Sequence, residues 1–377
     1  MRCLPVGLGI FEFTQDWSTS YFILFVGVSF VIAFLCQKAA AAKGHEAVET
    51  SRFYYCIAFL ILFSLAAFRS DKVGNDTEEY VEFFETMGRN GFAYAVNSKF
   101  EVLFNIYIFI ISAVSKNYTI LFMCNACITI GVLIKYISLK WKMGDSFVLL
   151  PLFIIGFQYD LSAMRSGLGT AFILASLIAL DNEKYMKSIF LSIAGGLFHT
   201  TAFFNLFIIF AQILLKMKKR WKAKTLFWGA VLGILVLNGS IYYIQSILLE
   251  TRYQGYVRKL GNGWFGNWYL ILAAILSAII IGRSYRKKMP AASENIVNLL
   301  VLSMLPVYVR LNAYRIPKYY LMCRCSTYKT MCNIVESRQP DFQSKMFAKI
   351  IEFMILVFGL LYFFSRNAAG TLYELRF

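Results

Sequence analysis

Apolar stretches of helical length recur along the chain, separated by short polar breaks, at approximately residues 20–37, 53–68, 100–115, 118–139, 146–160, 163–180, 187–215, 224–244, 267–282, 295–312, 317–333 and 346–364. A hydrocarbon core about 30 Å thick takes ~20 helical residues to cross. The pattern therefore predicts an all-α fold, a polytopic transmembrane helical bundle of about ten to thirteen membrane helices with room for re-entrant segments. Residues 1–377 read as a single integral membrane domain. The stretch 187–215 is too long for one simple crossing and carries Gly195, Gly196 and His199 near its middle. It is expected to split into a short helix ending near His199 and a second helix running to Leu215, because such a break is tolerated at depth only beside protein or a water-filled cavity.

Two polar loops stand apart. In 69–99, the Gly74-Asn75 turn is followed by Asp76 and Glu79 at capping-box spacing, and then by Tyr80, Phe83, Phe84 and Met87 at helical spacing, with Glu78, Glu82 and Glu85 elsewhere on the helix. This predicts an amphipathic helix able to lie at the interface. The loop 245–266 and its flank carry Tyr253, Tyr256, Trp264, Phe265, Trp268 and Tyr269 among glycines, which suits either stacking on sugars or an interfacial aromatic belt.

Composition supports the membrane reading: the chain is 59% hydrophobic and 16% charged, against about 25% charged in soluble domains. The net charge of +17 would fit a nucleic-acid binder if it formed a soluble patch. It gathers instead in short breaks, at Lys216, Lys218, Lys219, Arg220, Lys222 and Lys224 and again at Arg283, Arg286, Lys287 and Lys288, so it is read as topogenic and no nucleic-acid partner is expected. With those loops cytoplasmic, Arg165, His199, 245–266 and Arg315 come out external, and the breaks holding Lys140, Lys142, Lys184 and Lys187 come out cytoplasmic. Counting back with every stretch crossing places 69–99 inside. Either a stretch between 100 and 160 is re-entrant, or the loop is cytoplasmic. The first apolar run follows Glu12 and Asp16 rather than a basic segment and reads as an uncleaved span. Most of the eight cysteines lie within apolar runs and read as small hydrophobes.

Ionisable residues in or beside spans are expensive and point to a substrate path. Four stand out: Glu101, Arg165, His199 and Arg315. Arg165 opens a small-residue helix, which suits an anion site as well as a side chain snorkelling to headgroups. His199 suits an interhelical hydrogen bond, proton transfer or a bond to phosphate. Arg315, with Arg310, Tyr308 and Tyr314 nearby and Pro317 in a first helical turn, favours anion binding. No metal-ligand cluster and no nucleotide phosphate loop is present in the sequence, so no cofactor is expected.

Taken in order, Arg69, Val73-Gly74-Asn75-Asp76-Thr77 with Tyr80, Glu101, Met164-Arg165, Phe198-His199-Thr200 and Arg315-Ile316 with Tyr319 form a set that resembles the EpsG family, grouped with Wzy-type polymerases of bacterial surface polysaccharides. The resemblance covers approximately residues 50–330. Family members often read Gly-Thr-Asp-Thr, Glu-Pro and Arg-Gln where this chain has Gly74-Asn75-Asp76-Thr77, Glu101-Val102 and Arg165-Ser166. The resemblance implies an O-antigen or exopolysaccharide polymerase of the bacterial inner membrane, working on polyprenyl-diphosphate-linked oligosaccharide at the external face. Chain-length regulator and flippase proteins are candidate partners, beside membrane lipids. It further implies Asp76, Glu101 or His199 as the base, Arg165 and Arg315 with Arg69 as a third candidate for holding diphosphate, and Tyr319 as a substrate contact. A lipid-linked sugar flippase, a membrane acyltransferase and a non-enzymatic export subunit are the competing classes; the first would more often show repeated halves, which are not seen.

Overall fold

A computed structural model of the chain describes residues 18–42, 47–71, 76–96, 98–140, 149–152, 154 and 163–217, and beyond them 228–229, 231–233, 235–236, 243, 246, 271–272, 274–280, 293–303, 319–320, 325, 327–328, 330–332 and 342–368. The basic clusters at 218–224 and 283–288, nearly all of the loop 245–266, and Arg315 lie outside the described residues.

The helical expectation holds among the described residues. Helices α1 (Ser18–Ala41) and α2 (Ala47–Ala67) are followed by α3 (Thr77–Asn90), the single turn α4 (Ala93–Val96), α5 (Val102–Val114) and α6 (Tyr118–Lys140). Next come α7 (Met164–Asp181), α8 (Tyr185–Phe198), a 3-10 turn at Thr200–Phe203, α9 (Phe204–Met217), α10 (Ser293–Ser303) and α11 (Phe342–Ala368). Among the described residues, four helical segments are long and apolar enough to cross a membrane: Leu24–Ala41, Val48–Ala67, Tyr118–Lys140 and Met164–Asp181. The chain is thus a multi-pass membrane protein. The split within 187–215 falls where the sequence puts it: α8 ends at Phe198, and His199 is extended, with φ −153° and ψ 112°.

The chain divides into two compact units, Met1–Phe203 with Ile351–Phe377, and Phe204–Ile350. In the first, helix directions follow from residue pairs. The ring of Phe59 is nearest Gly131, and the guanidinium of Arg69 lies 4.5 Å from the Phe122 ring, so α2 and α6 run antiparallel. Lys140 pairs with Asp181 at the far ends of α6 and α7, while Leu121, Phe122, Met164 and Leu168 share a core at their near ends; α6 and α7 run parallel. α7 and α8 form an antiparallel hairpin in which the buried hydroxyls of Ser176, Ser188 and Ser192 bond one another at 2.8–2.9 Å. Helices need such small polar residues and close backbones because lipid supplies no hydrophobic drive between them. Gly169 and Gly195 provide the close approach: a Cβ on Gly195 would sit 3.2 Å from the Phe172 Cβ, and one on Gly169 3.4 Å from the Cβ of His199.

α3 forms where the amphipathic pattern predicts, with Tyr80, Val81, Phe83, Phe84 and Met87 buried and Glu78, Glu82 and Arg89 outward. The capping box does not form: Asp76 has helical dihedrals and its carboxylate makes no cap bond, and Glu79 pairs with Lys99 instead. α3 lies parallel to α5. Tyr80 meets Phe104 at 5.4 Å between ring centres, and eight residues further along both helices Gly88 meets Ser112. Lys116 closes that end by donating to the Gly88 carbonyl at 2.7 Å.

In the second unit, α9 packs on α10. Buried polar groups are paired there: Asn298 Nδ2 donates to Ser277 Oγ at 3.2 Å and to Thr327 Oγ1 at 2.7 Å. The Tyr320 hydroxyl donates to Asn205 Oδ1 at 3.0 Å.

Candidate functional site

Glu101 immediately precedes α5 and is extended, so its side chain projects from a helix start rather than along a helix face. Three donors from two other elements converge on it. Arg165 Nη1, in the first turn of α7, reaches Glu101 Oε2 at 2.7 Å, and the backbone N–H and hydroxyl of Thr200 reach Oε1 at 3.2 and 3.1 Å. The break after α8 is what makes Thr200 available, because an N–H at the start of a helical turn has no partner within that turn. Glu101 is thereby fixed between the entrance of one membrane helix and the exit of the next.

Arg165 is bound on a second side. Its Nε donates to the Tyr80 hydroxyl at 3.3 Å, and that hydroxyl donates to Asp76 Oδ2 at 3.4 Å. Its guanidinium also lies 4.7 Å from the Phe100 ring centre, a cation–π arrangement that holds a charged group against an apolar floor. The side chains of Arg165 and Glu101 retain 18% and 13% exposure, so the pair is mostly buried yet open to one side. Among the described residues Arg165 Nη2 carries no protein hydrogen bond.

His199 is buried beside this cluster in sequence, one residue before Thr200, and its Nδ1 is 2.8 Å from Thr201 Oγ1. That contact orients the ring. Arg69 is 4% exposed; its Nη1 donates to the Ala66 carbonyl at 2.6 Å and it stacks on Phe122, whose core includes Tyr80 and Phe104. Tyr319 is buried in the second unit, and Arg315 lies outside the described residues. The structure therefore brings Asp76, Glu101 and Arg165 into one hydrogen-bonded chain, with His199 adjacent. No three His, Cys, Asp or Glu side chains gather in a metal-binding arrangement among the described residues.

Three members of the cluster were not singled out as site residues from sequence. Tyr80 follows Asp76 by four residues, the spacing that stacks side chains on one helix face. Thr200 follows His199 directly at the helix break. Phe100, beside Glu101, gives no signal apart from its position.

A family model described as the EpsG family matches residues 52–375. No curated protein and no solved structure matches the chain. The matched range takes in every candidate residue, from Arg69 to Tyr319.

Proposed function

Because the chain belongs to the EpsG family, and so to membrane proteins linked to polysaccharide biosynthesis, we propose that it is a polysaccharide polymerase of the bacterial cytoplasmic membrane. It joins polyprenyl-diphosphate-linked oligosaccharide units at the external face. The growing chain on its lipid diphosphate is the donor, and a sugar hydroxyl of the next lipid-linked unit is the acceptor. A glycosidic C–O bond forms as the anomeric carbon's bond to phosphate breaks; the hydroxyl proton leaves to a carboxylate or imidazole, and polyprenyl diphosphate departs.

The observation that carries this reading is the arrangement around Arg165. One guanidinium nitrogen is held by Glu101, another by Tyr80, and Nη2 is left to a ligand. Diphosphate is a good leaving group whose charge needs donors aimed at it, and a planar arginine fork supplies them in a site open to one side. In this scheme Arg165 holds diphosphate within the first unit, with Arg69 as a second candidate there, while Arg315 and Tyr319 remain candidates on the sequence alone. Glu101 orients Arg165, and Asp76, Glu101 or His199 takes the proton. Arginine and hydroxyl donors meet the diphosphate charge without a metal ion.

The surface glycan of a strain lacking the gene tests the activity. Lipid-linked chains of a single repeat are expected. Complete loss of glycan would indicate a flippase, and unmodified full-length glycan an acyltransferase. Arg165→Lys then tests the site: charge is kept but the fork is lost, so chain length should collapse at equal expression. A wild-type glycan ladder from that variant would remove Arg165 from the clamp.

A further inference from the structure

We infer that α3, α4 and α5 form an excursion that leaves and rejoins the bundle at one end, with α5 lying in the outer lipid leaflet and its outward face against acyl chains. Three independent observations carry this, and none depends on the polymerase reading. The first is where α5 begins and ends. Glu101, at its start, pairs with Arg165 in the first turn of α7, and its end passes through residues 115–117 directly into the first turn of α6. Since α6 and α7 run parallel, those two first turns lie at the same end of the bundle. α5 therefore begins and ends at that one end of the bundle.

The second is length. Thirteen residues make a helix of about 20 Å, short of the ~30 Å hydrocarbon thickness. The third is the division of outward faces. On α3 the exposed positions are Glu78, Glu82, Arg89 and Asn90; on α5 they are Val102, Ile110, Ala113 and Val114, with Ile106 half-buried and Val114 81% exposed. A soluble loop would not present only aliphatic side chains outward, nor would a lipid-facing helix present the charges of α3. One layer faces water and the other faces hydrocarbon, which is the geometry of a helix pair seated in the interface.

The excursion also settles the count of crossings. With α5 removed from it, the loop 69–99 lies opposite the basic ends of α6 and α7, where Lys140 and Lys184 stand, and is external by the charge rule. Asp76 and Glu101 then share one face with Arg165.

Glu82→Cys on α3, Lys116→Cys between α5 and α6, and Asn182→Cys between α7 and α8 test the path. Intact cells are treated with a membrane-impermeant maleimide, and the labelled peptides are identified by mass spectrometry, so native cysteines need not be removed. Glu82→Cys and Lys116→Cys should label from outside, and Asn182→Cys only after the cells are opened. Labelling of positions 82 and 116 from opposite faces would show that α5 crosses and overturn the inference. A spin label at Val114, in protein reconstituted into liposomes, gives a second reading. Relaxation by oxygen should exceed relaxation by a water-soluble nickel chelate several-fold, and the reverse order would take α5 out of the lipid.

Discussion

The α7–α8 hairpin and the α3–α5 pair each supply half of the central ion pair, yet they are held together by different means. α7 and α8 approach through Gly169 and Gly195 and are joined by the Ser176, Ser188 and Ser192 hydroxyls. α3 and α5 are held by rings: Tyr80, Phe83, Phe100 and Phe104 make edge or tilted contacts at 4.6–5.8 Å. The first is the packing that works where both partners are already in hydrocarbon. The second, a set of large rings under a charged outer face, gains from removing apolar surface from water. Glu101, Arg165 and Thr200 thus meet at the seam between a core of small residues and a core of rings.

Truncating a ring in α5 should give the largest stability change. Phe104 is fully buried, and Phe104→Ala is expected to cost about 3–5 kcal/mol, measured as a shift of the unfolding transition in detergent. A loss below ~1 kcal/mol would mean that the α3–α5 core is not driven by apolar burial.

Glu101→Gln comes next, since it leaves the Arg165 charge mostly buried without its counter-ion. Removing one partner of a buried pair costs about 3–5 kcal/mol; with the side chains 13% and 18% exposed, the lower part of that range is expected. Glycan ladders should shorten to single repeats at matched protein level. His199→Gln should do less, because an amide can still accept from Thr201. Normal ladders from Glu101→Gln beside single repeats from His199→Gln would shift the proton-accepting role to His199.

How far the sequence reaches is visible in these same residues. The break at His199, the small-residue helix opened by Arg165 and the amphipathic α3 are local patterns, and each was legible. Glu101 was recognisable as a costly charge, but not as the partner of a residue 64 positions on, nor was Tyr80 as the partner of one 85 positions on. Such pairings are set by which helix ends share a level, and periodicity carries no information about that. Hydropathy alone also does not separate a crossing from a shorter excursion: 100–115 is apolar enough for a span, and the helix formed there, Val102–Val114, has thirteen residues.

In the hairpin, Ser176→Ala removes one hydroxyl from a three-membered set, and membrane hydrogen bonds average about 0.6 kcal/mol. A loss of that order is expected, with the glycan ladder unchanged. A loss several times larger would mean that the hydroxyls, rather than the glycine contacts, hold α7 to α8, and would sharpen the contrast with the ring-packed pair.

The smallest effect is expected on the outer face of α3. Lys99 and Glu79 form an ion pair with side chains 71% and 42% exposed. In water such a pair contributes about 0–1 kcal/mol and is screened by salt. Lys99→Ala should therefore shift stability by less than ~0.5 kcal/mol in low salt and by nothing measurable at 1 M, where the screening length falls to about 3 Å. The result reports on the surroundings of α3, because the same pair set among acyl chains would feel a much lower dielectric. A salt-independent loss of several kcal/mol would place α3 in lipid, and the contrast between a water-facing α3 and a lipid-facing α5 would fail at its outer layer.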